Sequence, residues 1–290
     1  MPDSDDPRRA AGRPEWLKVR LPSGETYFGL KRIVRGSGLH TVCESALCPN
    51  IADCWGSGAA TFMILGNTCT RRCGYCAVAK GQPAVLDLDE PRRVAAAVRR
   101  MGISHAVVTS VTRDDLPDGG AEVFSQTICE IRWACPGTTV EVLVPDFRGR
   151  RGSLERVVEA RPDVFNHNIE TVPRLFRELR PGADYAVSLD VLRLAAELDP
   201  AMITKSGIMV GLGENTDELL AVYEDLHRAS CSCLTIGQYL QPARKLHPVV
   251  RYYSPREFED LKSAAERMGF TNVLSGPLVR SSYHASATRG

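Results

Sequence analysis

From residue 61 onward, short apolar β-prone runs alternate with amphipathic helical stretches. This alternation constrains the fold more than any other feature of the 290 residues. The apolar runs lie at 61–65, 105–111, 138–144, 164–169, 203–210 and 233–239. Helical patterns fall at 91–101, 121–133, 154–160, 187–197, 217–229 and 255–268. In the first of these, Val94, Val98 and Met101 share a face, Pro91 stands near the start and Gly102 follows the end. Ser254, Pro255 and Glu257 give the last one the signature of a capping box. Strand alternating with helix predicts parallel pairing with right-handed crossovers. Six such units predict an α/β fold, a partial TIM-like (β/α)6 barrel, with a doubly wound open sheet as the alternative. In either fold the reactive site lies beyond the carboxyl ends of the strands.

The formal net charge of +1 offers no basic patch for nucleic acid and no polybasic segment for a membrane surface. No apolar run approaches the roughly 20 residues a spanning helix needs. The opening MPDSDDPRRAAGRP has no apolar signal region, and its three aspartates argue against a mitochondrial presequence. The expectation is a cytoplasmic protein, in which clustered cysteines are metal ligands or catalytic thiols rather than disulfides.

Six of the ten cysteines form two triplets. Cys69, Cys73 and Cys76 follow the first apolar run after only Gly66, Asn67 and Thr68, at the reactive end of a barrel. Three thiolates suit a 4Fe–4S cubane with one iron left open. An open coordination position marks chemistry rather than scaffolding. The competing reading, a zinc knuckle, wants a fourth ligand, and no histidine follows Cys76 before His105. Upstream, Cys43, Cys48 and Cys54 lie in 16–60, where periodicity is weak. Amide N–H groups of irregular backbone can point at sulfur there, while His40 leaves a Cys3His zinc site open. Of the other cysteines, Cys129 reads as a buried small hydrophobe. Cys135, Cys231 and Cys233, near element ends, read as inert.

The Cys-x3-Cys-x2-Cys spacing, with Tyr75 before the last cysteine, resembles the radical S-adenosylmethionine (SAM) superfamily. That resemblance implies that the open iron chelates SAM, whose reductive cleavage gives a 5′-deoxyadenosyl radical able to take hydrogen from unactivated carbon. Adding Cys-x4-Cys-x5-Cys upstream makes the pair similar to that of lipoyl synthases. The likeness extends through WLKVRLPSGE (16–25), LHTVCESALCPNIADCW (39–55), VEVLVPDFRG (140–149), VFNHNIETVPRLF (164–176), LRPGADY (179–185), TKSGIMVGLGE (204–214), LTIGQYLQP (234–242) and GPLVRSSYHA (276–285). KLHPVVRYYSP (245–255) differs in order from that family's usual run. The resemblance also implies a serine ligand to an auxiliary 4Fe–4S cluster from the motif Arg280-Ser281-Ser282-Tyr283. It assigns the role to Ser282, while the residues alone do not separate Ser282 from Ser281. An alkoxide is a harder and poorer partner for iron than a thiolate.

Within this reading the chain divides into a polar tail (1–15), an auxiliary-cluster extension (16–60), the barrel (61–270) and a C-terminal segment returning to the auxiliary cluster (271–290). Asn166, Asn168 and Glu170 alternate on one expected strand. They form either an internal network or, for Asn168 and Glu170, SAM contacts. Ser110, Arg113 and Asp114 leave the second strand, with Asp114 favoured as a helix cap. Gly207, Gly211 and Gly213 turn the backbone at a strand end near adenine. Arg280 pairs with a carboxylate, such as SAM's. Lys205 and Arg244 form a charged face, or attract an acidic carrier.

The resemblance implies sulfur insertion at C6 and C8 of an octanoyl-lysine on a lipoyl carrier domain (2-oxoacid dehydrogenase E2 or glycine cleavage H protein), the auxiliary cluster being the sulfur donor. Partners would include ferredoxin or flavodoxin as electron donor and an iron–sulfur carrier protein, with no nucleic acid or membrane. The alternatives are a methylthiotransferase-like radical SAM enzyme and a non-catalytic iron–sulfur electron-transfer protein.

Overall fold

The computed structural model describes residues 14–19, 21–283 and 285. The expected tail at 1–15 lies almost wholly outside them. Helix α1 (Glu25–Gly36) buries Tyr27, Leu30 and Val34, a stripe at helical spacing. Strand β1 (His40–Thr41), helix α2 (Val42–Ser45) and helix α3 (Ile51–Gly56) follow. The segment of weak periodicity therefore holds three helices. The two after β1 are too short to repeat a pattern, and Thr41 starts α2 by accepting the Glu44 N–H at 3.3 Å.

The alternation then runs β2 (Thr61–Ile64), β3 (Thr68–Cys69), β4 (Ala79–Lys80), α4 (Glu90–Met101), β5 (His105–Ser110), α5 (Ala121–Ala134), β6 (Thr139–Leu143), α6 (Arg151–Glu159), β7 (Val164–Asn166), α7 (Pro173–Leu179), α8 (Tyr185–Leu198), β8 (Ile203–Val210), α9 (Thr216–Arg228), β9 (Cys233–Gln238), α10 (Pro255–Arg267) and β10 (Asn272–Gly276). The main sheet has the order β1-β2-β5-β6-β7-β8-β9-β10. Its β2 to β10 neighbours all pair in parallel, and β1 joins β2 antiparallel. The six expected strands and six expected helices are all present. Ser254 and Glu257 form the capping box of α10. Strand β10 adds a seventh parallel strand beside β9. Its run Asn-Val-Leu-Ser-Gly is too short and too polar to stand out in the sequence.

Polar side chains of neighbouring strands meet in the buried interior. Lys205 Nζ lies 3.0 Å from Glu141 Oε1, Asn166 Nδ2 donates to the same oxygen at 3.1 Å, and His105 Nε2 stands 3.4 Å from Glu141 Oε2. Both Lys205 and Glu141 are fully buried. The expectation of a surface lysine is corrected: β8 is covered on both edges, and Lys205 points inward to an ion partner. Arg244 is exposed. Cys129, expected buried, is exposed on α5, whereas Cys231 and Cys233 are buried. An apolar residue inside an amphipathic pattern need not face the core. Among the described residues no helix is long and apolar enough to cross a membrane.

Candidate active site

At the carboxyl end of β2 the chain turns through Leu65 and Gly66, both with positive φ. The short parallel pair β3–β4 then closes the second cysteine loop at its base. Cys69 Sγ accepts the N–H groups of Arg71 at 3.4 Å and Thr112 at 3.3 Å. Gly74 N–H donates to Leu179 O at 2.8 Å, and His247 N–H to Gly74 O at 2.9 Å. The atypical 245–255 segment thus packs on the cysteine loop itself.

Arg71, which sequence reasoning passed over, ties three strand exits together. Its guanidinium donates to both carboxylate oxygens of Asp114 (2.8 and 3.1 Å) and of Asp146 (2.5 and 2.6 Å). Burial raises the Asp146 pKa, but the Arg71 fork overrides it and holds it down at about 2. Asp114 is therefore an ion partner of Arg71 and Arg148, not the expected cap. Asp118 accepts the Gly120 and Glu122 N–H groups at the start of α5.

Cys69, Cys73 and Cys76 border one cavity of about 200 Å³, together with Tyr75, Ser110, His167, Asn168, Glu170 and Arg180. Strand β7 ends at Asn166, so Asn168 and Glu170 lie just past it, not within it as expected. Burial pushes the Cys76 thiol up to about 11 and raises Cys73 and, strongly, Tyr75. Such thiols give up their protons to a metal centre, whose positive charge reverses the cost of burial. Four residues of this lining carry a buried polar atom with no partner among the described residues: Ser110 Oγ, His167 Nε2, Asn168 Oδ1 and Arg180 Nε. Each orphan costs about 1–3 kcal/mol, so the cavity is matched to a polar ligand. Burial and the nearby Arg180 lower His167 to about 4, so its ring is neutral at pH 7. Nδ1 lies 2.8 Å from Val144 O and carries the proton, leaving Nε2 as acceptor. A Cβ at residue 207 would come within 2.8 Å of Asn168 Oδ1, which explains a glycine inside β8. Gly211 and Gly213 have φ of +96° and +115° beyond the strand. Sequence reasoning missed His167 and Arg180. His167 carries the signal of a polar residue just beyond a strand end, which also marks Asn168, whereas Arg180 caps the end of α7 and carries no such mark.

Cys43, Cys48 and Cys54 border a second cavity of about 370 Å³ with Asn50, Asp53, Arg280, Ser282 and Tyr283. His40 does not line it. Burial and the neighbouring thiols push Cys43 up to about 11 and Cys54 to about 12. The C-terminal segment is pinned across it: Asn50 Nδ2 donates to Leu278 O at 2.5 Å and Tyr283 OH to Asp53 Oδ2 at 3.1 Å. Val279 lies on β9, where a Cβ on Gly237 would collide with its carbonyl oxygen. The two serines separate. Ser282 borders this cavity, whereas Ser281 Oγ accepts from Asn168 Nδ2 at 3.1 Å. Arg280 borders this second cavity rather than the first. Among the described residues, Val42 alone lines both cavities.

Among the described residues no group of three or more His, Cys, Asp or Glu side chains is placed to hold a single metal ion. Each cysteine triplet borders a cavity instead, and neither lining contains a fourth cysteine. Three thiols around a void fit a cubane cluster with one corner left to another ligand.

Comparison with known proteins gives the same reading. The Radical SAM superfamily pattern matches residues 63–226, and that of the N-terminal domain of lipoyl synthase matches residues 6–48. The lipoyl synthase of Koribacter versatilis is 58% identical over 280 residues, covering 97% of this chain and 92% of that protein. The lipoyl synthase of Rubrobacter xylanophilus is 59% identical over 274 residues, 94% of this chain and 85% of the relative. Solved structures with the same fold include methylornithine synthase (TM-score 0.53, 12% identity, 73% of this chain and 69% of that one). Streptococcus suis SuiB bound to S-adenosylmethionine is another (TM-score 0.57, 8% identity, 78% and 53%). With this identity along nearly its whole length, the chain belongs to the lipoyl synthase family of the radical SAM superfamily.

Proposed function

We propose a division of labour among the residues of this chain. The family's reaction inserts two sulfur atoms at C6 and C8 of a protein-bound octanoyl-lysine, using two 4Fe–4S clusters and SAM. Cys69, Cys73 and Cys76 would hold the cluster whose open iron meets SAM. Cys43, Cys48, Cys54 and Ser282 would hold the sulfur-donating cluster. When bound, these groups supply the one-electron chemistry and the sulfur that side chains lack.

The protein's own part is binding and placement. Ser110, His167, Asn168 and Arg180 offer their unpaired polar atoms to SAM. Glu170, whose pKa burial raises, stands beside them. Tyr75 stays protonated against the cysteine loop. Arg71 locks that loop to the β5 and β6 exits. Val42 presents its apolar side chain to both cavities, as an aliphatic chain spanning them requires. Ser282 leaves one iron with a hard, weak ligand, suited to a cluster that gives up sulfur. The observation that carries this reading is the pair of cavities, each bordered by three cysteines, one with Ser282 and the other with four unpartnered polar atoms.

The substrates are lipoyl carrier proteins. We place the E2 subunit of a 2-oxoacid dehydrogenase or the glycine cleavage H protein in that role, ferredoxin or flavodoxin as reductant, and an iron–sulfur carrier for cluster repair. We place the enzyme in the cytoplasm, where reducing conditions keep its cysteines as thiols. Anaerobic reconstitution should load about eight irons per chain, four per cubane. Cys69→Ala, Cys73→Ala or Cys76→Ala should abolish deoxyadenosine release. Cys43→Ala, Cys48→Ala or Cys54→Ala should keep that release and lose thiolated peptide. Equal loss of both activities in both sets would refute the division.

A further inference from the structure

Of two consecutive serines, one borders a cavity and the other is bonded to a residue on the lining of the second one. Ser282 borders the cavity of Cys43, Cys48 and Cys54. Ser281 is held from the other side, by Asn168 Nδ2 at 3.1 Å. The same amide nitrogen donates to Glu170 Oε1 at 3.1 Å. Asn168 lines the cavity of Cys69, Cys73 and Cys76, and its Oδ1 is buried without a partner.

An amide is planar, and the torsion that turns it is soft. One rotation therefore sets Oδ1 and Nδ2 together. A hydrogen-bond donor that engages Oδ1 fixes the amide plane and with it the bond to Ser281. Ser281 is one peptide unit from Ser282, so what holds the first holds the second.

We propose that Ser281 is a positioning residue coupling the two cavities: a donor group of SAM taken up at Asn168 Oδ1 fixes the Asn168 amide, which clamps Ser281 and so keeps Ser282 at the auxiliary cluster. The proposal rests on the reading of Ser282 as that cluster's oxygen ligand. It makes the auxiliary iron better held while SAM is bound and freer once SAM has been consumed. By linkage, the clamp strengthens SAM binding by the factor by which it tightens the equilibrium hold on that iron, and it slows the iron's loss in the same direction. One neutral hydrogen bond sets the scale at about fivefold.

The test uses reconstituted holoprotein without reductant, so that SAM binds without being cleaved. Iron loss to a chelator is timed with and without SAM, and Mössbauer spectra identify the cluster that loses it. SAM affinity is measured by equilibrium dialysis. In the parent protein SAM should slow auxiliary iron loss about fivefold. Ser281→Ala should erase that protection and weaken SAM binding by a similar factor, while Ser281→Thr, which keeps the hydroxyl, should retain both. Ser281→Gly serves in the same way if Ser281→Ala does not load its clusters. Full SAM protection in Ser281→Ala, or none in the parent protein, overturns the proposal. Failure of the underlying reading is distinct: Ser282→Ala would then leave the auxiliary cluster's spectrum unchanged.

Discussion

Replacing Arg71 with methionine should cost more stability than any single exposed ion pair. The Arg71 side chain is 6% exposed and that of Asp146 only 2%, with Asp114 packed beside them. Arg71 holds Asp146 nearly two pH units below its usual 3.8, at about 2. At 1.36 kcal/mol per unit this is about 2.5 kcal/mol from one partner. Adding Asp114 brings the loss into the range of about 3–5 kcal/mol for breaking a buried pair. For a chain of this length that amounts to roughly 10 °C in melting temperature. Asp146 has a depressed folded pKa, so its contribution is complete above its usual pKa and is lost only as pH falls through about 2. The deficit of Arg71→Met should therefore be constant between pH 6 and 8. Arg71→Lys keeps the charge but not the fork and should fall between. Anaerobic urea melts of the three proteins measure this. An Arg71→Met loss below about 1 kcal/mol, or one fully recovered by lysine, would refute the argument that a bidentate bridge joins the strand exits.

His167 titrates near 4 when folded against 6.5 otherwise, so the unfolded chain binds more protons between those values. Stability is complete above about pH 6.5 and declines as pH falls toward 4. The parent protein should lose about 2 kcal/mol from this group between pH 7 and 5, and His167→Gln should not; equal acid sensitivity in urea melts would contradict the buried, neutral ring. Gly237→Ala drives a methyl into the Val279 carbonyl and should cost about 1–3 kcal/mol by displacing the C-terminal segment. In the cluster-free protein, maleimide should then label Cys43, Cys48 and Cys54 faster and leave Cys69, Cys73 and Cys76 unaffected; unchanged labelling of the first triplet would rule out that seating.

The β/α alternation was legible because apolar runs of strand length and stripes of helical period report burial directly. The short helices α2 and α3 were not, since a single turn carries no period. Strand β10 escaped because an edge strand buries little and its side chains are mixed. Both cysteine triplets stood out by spacing, and Ser282 drew notice only through family likeness, since nothing local sets it apart from Ser281. Lys205 and Arg71 misled or hid for one reason: a charge in sequence reads as surface, and only the fold brings Glu141, Asp114 and Asp146 to meet it. His167 and Arg180 became visible only once both were found on one cavity's lining, each with a buried atom unpartnered among the described residues.

The wall over the second cavity is made from the two ends of the described chain. Asn50 and Leu278 are 228 positions apart, and Asp53 and Tyr283 are 230 apart. During translation the three upstream thiols emerge long before the residues that roof them. Long-range contacts of this kind form late, after the intervening loop has been closed by folding. Until β10 has docked beside β9, the upstream thiols stand in an open trough. The second cavity therefore gains its last wall with the seating of Val279 on Gly237.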